Sequence, residues 1–401
     1  MSPERLPRFL LCWGYHRAGW IQPFEELRDR MDISYLFLRH AEDEEGCLTD
    51  APRYYWSDFA NAREVLEALH PDGIVFMALD GAWSIALNAV ARRHRIPTFI
   101  VQHGHVESAD DGDRVTTAAA LSRGSPVPAV RFAASSLGIR GASTMVRLLR
   151  FMVDARLHGS QAAMSRHRFL ARMPDHYVAL SPESAQAIYR LDNPSPSRIS
   201  CIGLPEYDLI FREVSLEVPD DGPVLLLDSP NAENRWGVTT TTTLEKAAFL
   251  WSMSGAASGL GRKLRVKLHP ESYGADWLPE LPNATYLRDA SLPAELNAAS
   301  LCIAFDSTLA IAAVWLRPTV LVRLRPSRIV DVAAETSAAL VVASMADIDP
   351  TTLRGCSEAF RDSLPHREEF VFRLAHKVDG RAVERLGDLL TYHTNLDTAL
   401  K

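Results

Sequence analysis

Short apolar runs of β type alternate along the first part of the chain with stretches whose apolar positions recur at helical spacing. RFLLCW from Arg8, SYLFL from Ser34, GIVFMAL from Gly73 and PTFIV from Pro97 are the strand-like runs. Helical patterns over 21–31, 60–69 and 83–94 separate them, and Gly104 ends the last run at a loop. This alternation predicts a parallel sheet wrapped in helices.

The rhythm breaks over 105–172, where an acidic loop and a Ser/Pro/Gly patch precede a long helical stretch carrying Arg140, Arg147, Arg150 and Arg156. We read this segment as a helical insertion. The pattern resumes with HYVALS from His176, a helix over 182–191 and ISCIGL from Ile199, then reaches an acidic linker at 217–222. A second α/β series follows: PVLLLDSP from Pro223, a helix over 243–259, KLRVKLHP from Lys263, ATYLRD from Ala284, a helix over 293–299, LCIAFDS from Leu301, a helix over 309–316 and PTVLV from Pro318. The expected domains are therefore 1–216, with the insertion inside it, and 217–380, followed by a closing helix within 381–401. A length of 401 residues suits two cores better than one.

Composition narrows the classes. Hydrophobic residues at 47% and charged residues at 23% describe an ordinary globular chain. A net charge of -7 argues against a nucleic-acid coat, so an anionic ligand has to be met by a local site. The five cysteines are widely spaced with no CxxC pair, which points to a reducing cytoplasm and to neither a disulfide framework nor a zinc site. The opening MSPERLPRFLLCWG reads as a first strand, not a leader, and the two longest apolar windows are interrupted by Asp80 and Asp306, so no spanning helix is expected. No metal-ligand cluster and no cofactor motif of the GxxxxGK[ST] or GxGxxG type is present in the sequence.

The candidate chemistry sits at strand ends. Lys267-Leu268-His269-Pro270 closes a basic strand with a histidine able to donate to a phosphate oxygen, Pro270 fixing the turn. Phe305-Asp306-Ser307-Thr308 runs from a strand into a helix start, where backbone N–H groups, the helix dipole and two hydroxyls converge. Together they describe one anion pocket; the plainer readings are a strand-end histidine and an ordinary N-cap. In the first domain Gln102-His103-Gly104-His105 ends PTFIV, and Asp80-Gly81 ends GIVFMAL. Asp80 is the preferred general base for a transferred hydroxyl proton, its plainer role being a helix cap; His103 is the second candidate. Gly14, His16, Gln102, Gly104, Asp110 and Asp111 are further candidates for substrate contact. The stretch 139–157 mixes arginines with Met145, Leu148, Leu149, Phe151 and Met152, which fits either a solvated helix face or peripheral contact with an anionic membrane.

PTFIVQHG, IGLPEYD, LRVKLHP and NAASLCIAFDSTLAIAAVWLRPTVLV occur in an order that resembles bacterial surface-polysaccharide glycosyltransferases of GT-B fold, over about residues 70–325. The group includes capsule polymerases, bacterial sialyltransferases, Kdo transferases and CDP-glycerol glycerophosphotransferases. The resemblance implies two Rossmann-like domains facing each other across a cleft, with the last helix returning to the first domain. It implies a metal-independent inverting transfer with no cofactor, a nucleotide-sugar donor and a glycan or lipid-linked glycan acceptor. By similarity to the sialyltransferases, His269-Pro270 would contact CMP, Ser307-Thr308 would hold its phosphate and Asp80-Gly81 would supply the base. By similarity to the teichoic-acid members, His103-Gly104 and the segment 203–208 match as well. Sialyltransferases have an acidic doublet before the glycine; Leu79 precedes Asp80 here, while Asp110-Asp111 before Gly112 fits the letters. Many UDP-sugar relatives place a ribose-binding glutamate where this chain has Ala310, Ile311, Ala312 and Ala313, which favours a cytidine donor, CMP-nonulosonate or CMP-Kdo. A UDP-GlcNAc 2-epimerase-like isomerase, a UDP-sugar or CDP-glycerol transferase and a non-catalytic GT-B scaffold are the alternatives.

Overall fold

The structure, a computed structural model, describes residues 5–14, 18–38, 49–103, 127–232, 240–288 and 290–399. The chain divides into two compact units, 1–206 with 381–401, and 207–380.

The first unit carries a seven-stranded sheet in the order β3-β2-β1-β4-β5-β6-β7. Its strands are β1 (Arg8–Trp13), β2 (Asp32–Phe37), β3 (Arg53–Tyr55), β4 (Gly73–Phe76), β5 (Thr98–Val101), β6 (His176–Ala179) and β7 (Ile199–Cys201). Every recorded pairing is parallel. Such sheets need cover on both faces, so their central strands read as unbroken apolar runs. In β1, Leu10 and Cys12 enter the core under the helices Ala62–Leu69, Ala82–Arg93, Val127–Leu137 and Ala142–His158. Phe9, Leu11 and Trp13 enter the opposite core, closed by Ala18–Glu25 and Ala382–Ala399. The C-terminal helix supplies Val383, Leu386 and Leu390 to that second core. Local chemistry sets several boundaries: the Asn61 side chain accepts from the N–H groups of Arg63 and Glu64 to start one helix, and His70 ends it in the left-handed region at φ 45°.

The second unit carries a six-stranded sheet in the order β10-β9-β8-β11-β12-β13. Its strands are β8 (Val224–Leu227), β9 (Leu264–Lys267), β10 (Ala284–Leu287), β11 (Leu301–Ala304), β12 (Thr319–Val322) and β13 (Leu340–Val342), again all parallel. A Thr242/Glu245 capping box starts the helix Thr243–Gly259, whose Phe249, Leu250 and Met253 pack on the sheet. In both units the strand order reverses beside the first strand, between β1 and β4 and between β8 and β11. Open parallel sheets bind ligands outside the carboxyl ends of the strands at that reversal. No described helix is long and apolar enough to cross a membrane.

Candidate functional site

The carboxyl ends of β9, β8 and β11 lie side by side in the second sheet. Chain exits there carry His269, Asp228 and the segment Asp306–Thr308 respectively. Asp228 organises the first two exits. Its Oδ2 accepts the backbone N–H of His269 at 3.1 Å and the Ser272 hydroxyl at 2.8 Å. Its Oδ1 lies 2.9 Å from the Lys246 ammonium, both side chains being almost wholly buried. Lys246 also donates to the Ser229 carbonyl at 2.9 Å and stands 5.4 Å from the Trp277 ring centroid.

The turn around His269 fixes its tautomer. The Glu271 N–H donates to Nδ1 at 3.2 Å, so the neutral ring carries its proton on Nε2 and presents a donor. Pro270 is exposed and opens the short 3-10 turn Pro270–Ser272. Lys267 turns its ammonium to the carbonyl of Arg288 at 2.9 Å and the Tyr273 hydroxyl at 3.3 Å, which ties the β9 end to the β10 end.

At the end of β11, Thr308 is the N-cap residue of the helix Leu309–Leu316 but makes no side-chain capping bond. Asp306 does not cap the helix either; its buried carboxylate pairs with Arg325, just beyond β12. Ser307 and Thr308 are half-buried. The helix start keeps its dipole and carries no capping carboxylate or hydroxyl, the state an anion site requires. Behind it the helix is wholly apolar, with Ala310, Ile311, Ala312 and Ala313 buried.

The first unit's candidates stand at the ends of β1, β4 and β5, which are also neighbours. Gly14 is half-buried; a Cβ there would meet the Met77 methyl at 3.5 Å, an ordinary contact, so crowding does not demand glycine. Asp80 is exposed, and Gly81 is the N-cap of the helix Ala82–Arg93 with no side-chain capping bond. Asp80 therefore stands one residue before the N-cap position. Gln102 is buried and holds the sheet together: its Nε2 donates to the Ser184 hydroxyl at 3.1 Å and its Oε1 accepts the Leu180 N–H at 3.3 Å. His103 is half-buried, with its ring edge-on to Trp20 at 4.7 Å, in a small recess shared with Trp13, Phe24 and Pro205. His16, Gly104, Asp110 and Asp111 lie outside the described residues.

Asp228 and Lys246 were not singled out by sequence reasoning. The available signal was the acid directly after VLLL, a strand end equivalent in kind to those of His269 and Ser307. Among the described residues no three His, Cys, Asp or Glu side chains group in a way that could hold a metal ion.

No family model matches the sequence, and no curated protein matches it. Solved structures do resemble it in fold. The calicheamicin glycosyltransferase CalG4 superposes with a TM-score of 0.56 at 15% identity, covering 98% of this chain and 99% of that one. The wall teichoic acid polymerase TagF gives 0.54 at 11% identity, with 98% and 90% covered. UDP-GlcNAc 2-epimerase from Neisseria meningitidis, bound to UDP-GlcNAc, gives 0.54 at 12% identity, with 96% and 100% covered. The fold is that of GT-B proteins, two α/β units each built on a parallel sheet.

Proposed function

We propose that the chain is an inverting glycosyltransferase that uses a nucleotide-activated sugar in the synthesis of bacterial surface polysaccharide. The observation that carries this reading is the pair of strand ends, β9 and β11, that flank the end of β8 in the second unit. One presents a histidine whose Nδ1 accepts the Glu271 N–H, and the other a helix start with no side-chain cap. A phosphate between them would receive the Nε2–H of His269, the N–H groups of Thr308 and Leu309, and the hydroxyls of Ser307 and Thr308, the Ala310 and Ile311 N–H groups being taken by the Ser307 and Thr308 carbonyls. In the transfer the acceptor oxygen bonds to the anomeric carbon as the bond from that carbon to the donor phosphate breaks. The nucleotide leaves with the added negative charge, which these donors stabilise. The proton of the acceptor hydroxyl goes to a base in the first unit: Asp80 or His103 among the described residues, with Asp110-Asp111 outside them as the alternative.

The preferred donor is CMP-nonulosonate or CMP-Kdo, because the helix behind Ser307 offers Ala310 to Ala313 and no carboxylate to a ribose. The acceptor is a glycan or lipid-linked glycan. Glycosyltransferases among the structures of like fold, one of them a polymerase soaked with CDPG, support the reaction class. The epimerase of like fold favours a second reading, isomerisation of a sugar nucleotide.

Calorimetric titration with CMP, CDP, UMP, UDP and GDP tests the pocket. Binding of a cytidine nucleotide that weakens about 10- to 100-fold in His269→Ala, the value of one charge-assisted hydrogen bond, is the expected result. Preference for UDP, with sugar-nucleotide conversion in the absence of acceptor, would move the chain to the epimerase reading. Failure of the folded protein to bind any of the five overturns both.

A further inference from the structure

We propose that the exposed face of the helix Ala142–His158 docks on an anionic lipid bilayer. Val146, Leu149, Val153 and Leu157 follow each other at intervals of three and four residues and so share one helix face. Their exposures are 50%, 40%, 60% and 67%, and Ile139 in the turn just before the helix is 94% exposed. Leu148, Phe151 and Ala155 fill the core from the opposite face. A surface helix ordinarily keeps its outer face polar, so a second apolar stripe marks an interaction surface.

Charge decides the partner. Arg147 and Arg150 are exposed and Arg156 is half-exposed along the same helix, and among the described residues none of the three is in an ion pair. The one acid within 139–158 is Asp154, and it is occupied by Arg166 at 3.1 Å, His167 at 3.2 Å and His158 at 3.5 Å. This cationic helix belongs to a chain of net charge -7, so the basic character is local. An apolar stripe flanked by guanidiniums matches an acyl boundary topped by anionic headgroups. A second copy fits less well, because a two-fold contact brings the same face against itself and sets arginine near arginine. Since no described helix is able to span a bilayer, the attachment is peripheral.

Flotation of the full chain with vesicles tests this without any donor or acceptor, so its outcome is separate from that of the nucleotide titration. The chain is expected to float with vesicles of phosphatidylglycerol and phosphatidylcholine, to release as salt is raised, and to stay behind with phosphatidylcholine alone. Val153→Glu with Leu157→Glu, and separately Arg147→Glu with Arg150→Glu, should each weaken flotation by about tenfold or more. These side chains are on the surface, and an unchanged circular dichroism spectrum shows that the fold persists. Flotation that ignores lipid charge, flotation unaffected by both variants, or no flotation at all overturns the proposal. A dimer in sedimentation that Val153→Glu with Leu157→Glu abolishes, without vesicle binding, overturns it too and assigns the face to a second copy.

Discussion

Asp228 sets the position of His269. The carboxylate receives the His269 backbone N–H at 3.1 Å and is itself held by the buried Lys246 ammonium at 2.9 Å. A histidine proposed to meet phosphate is thus aimed by an ion pair that lies beneath the strand ends, and the two roles are separable by mutation.

Lys246→Met should leave Asp228 as a buried carboxylate without its counter-ion. Breaking one side of such a pair costs about 3–5 kcal/mol, much of it the desolvation of the group left behind. Urea unfolding should show the loss, and nucleotide affinity should fall with it as the turn loosens. His269→Ala, which leaves the pair intact, should lower affinity with little change in the unfolding midpoint. If Lys246→Met unfolds at the wild-type urea concentration, the pair does not anchor the turn.

Acid should weaken the first unit through His176. His176 is 4% exposed at the start of β6, bonded through Nε2 to the Ser200 hydroxyl at 3.0 Å. Burial, aided by His393 at 4.4 Å and by Arg198, pushes its pKa down from 6.5 to about 4. The folded state therefore keeps this ring neutral where the unfolded chain takes up a proton. Stability is full above pH 6.5 and falls as pH drops toward 4, at up to about 1.4 kcal/mol per pH unit. Between pH 6.5 and about pH 5 the loss should be about 2 kcal/mol by urea unfolding, and His176→Asn should flatten that slope. An equal slope in the variant would assign the acid sensitivity elsewhere.

The C-terminal helix should be indispensable to the first unit. Val383, Leu386 and Leu390 are buried among Phe24, Leu27, Tyr35 and Phe37, and Arg385 donates through Nε to the Ile202 carbonyl at 2.7 Å. Burial of each such aliphatic side chain is worth about 1.5–3 kcal/mol, so three together rival the whole stability of a domain. Deleting residues 381–401 should give an aggregating chain. Leu386→Ala should remain folded but lose about 2–5 kcal/mol in urea unfolding. A soluble, cooperatively unfolding truncation would refute the assignment of this helix to that core.

The central strands were legible, since β4, β8 and β11 are continuous apolar runs buried along their whole length and β1 is one after Arg8. The edge strands β3 and β13 were not, because Arg53–Tyr55 is half-exposed with no apolar run and Leu340–Val342 is only three residues long. The first helix was expected over 21–31 but spans Ala18–Glu25, after which the backbone turns through Leu27 and Arg30. In the candidate site, His269, Ser307 and Thr308 could be found because strand ends are visible in the letters. The Asp228–Lys246 pair could not, since it joins a strand end to a helix whose packing is known only once the sheet is assembled. Likewise the N-cap position falls on Gly81, one residue after Asp80, a difference that local propensity does not resolve.

Thr308→Asp separates a ligand site from a helix cap because the two roles respond with opposite sign. Thr308 occupies the N-cap position without a side-chain bond, and Asp306 is diverted to Arg325. An aspartate at 308 places a carboxylate in the field of the helix dipole, which should raise stability by about 0.3–1 kcal/mol. The same carboxylate occupies the place and the charge of a bound phosphate, so nucleotide affinity should fall by about 100-fold or more. Urea unfolding and calorimetry on one preparation read both effects. Higher stability with unchanged nucleotide binding would reduce this helix start to an ordinary terminus and remove it from the proposed pocket; higher stability with binding lost is the outcome the geometry predicts.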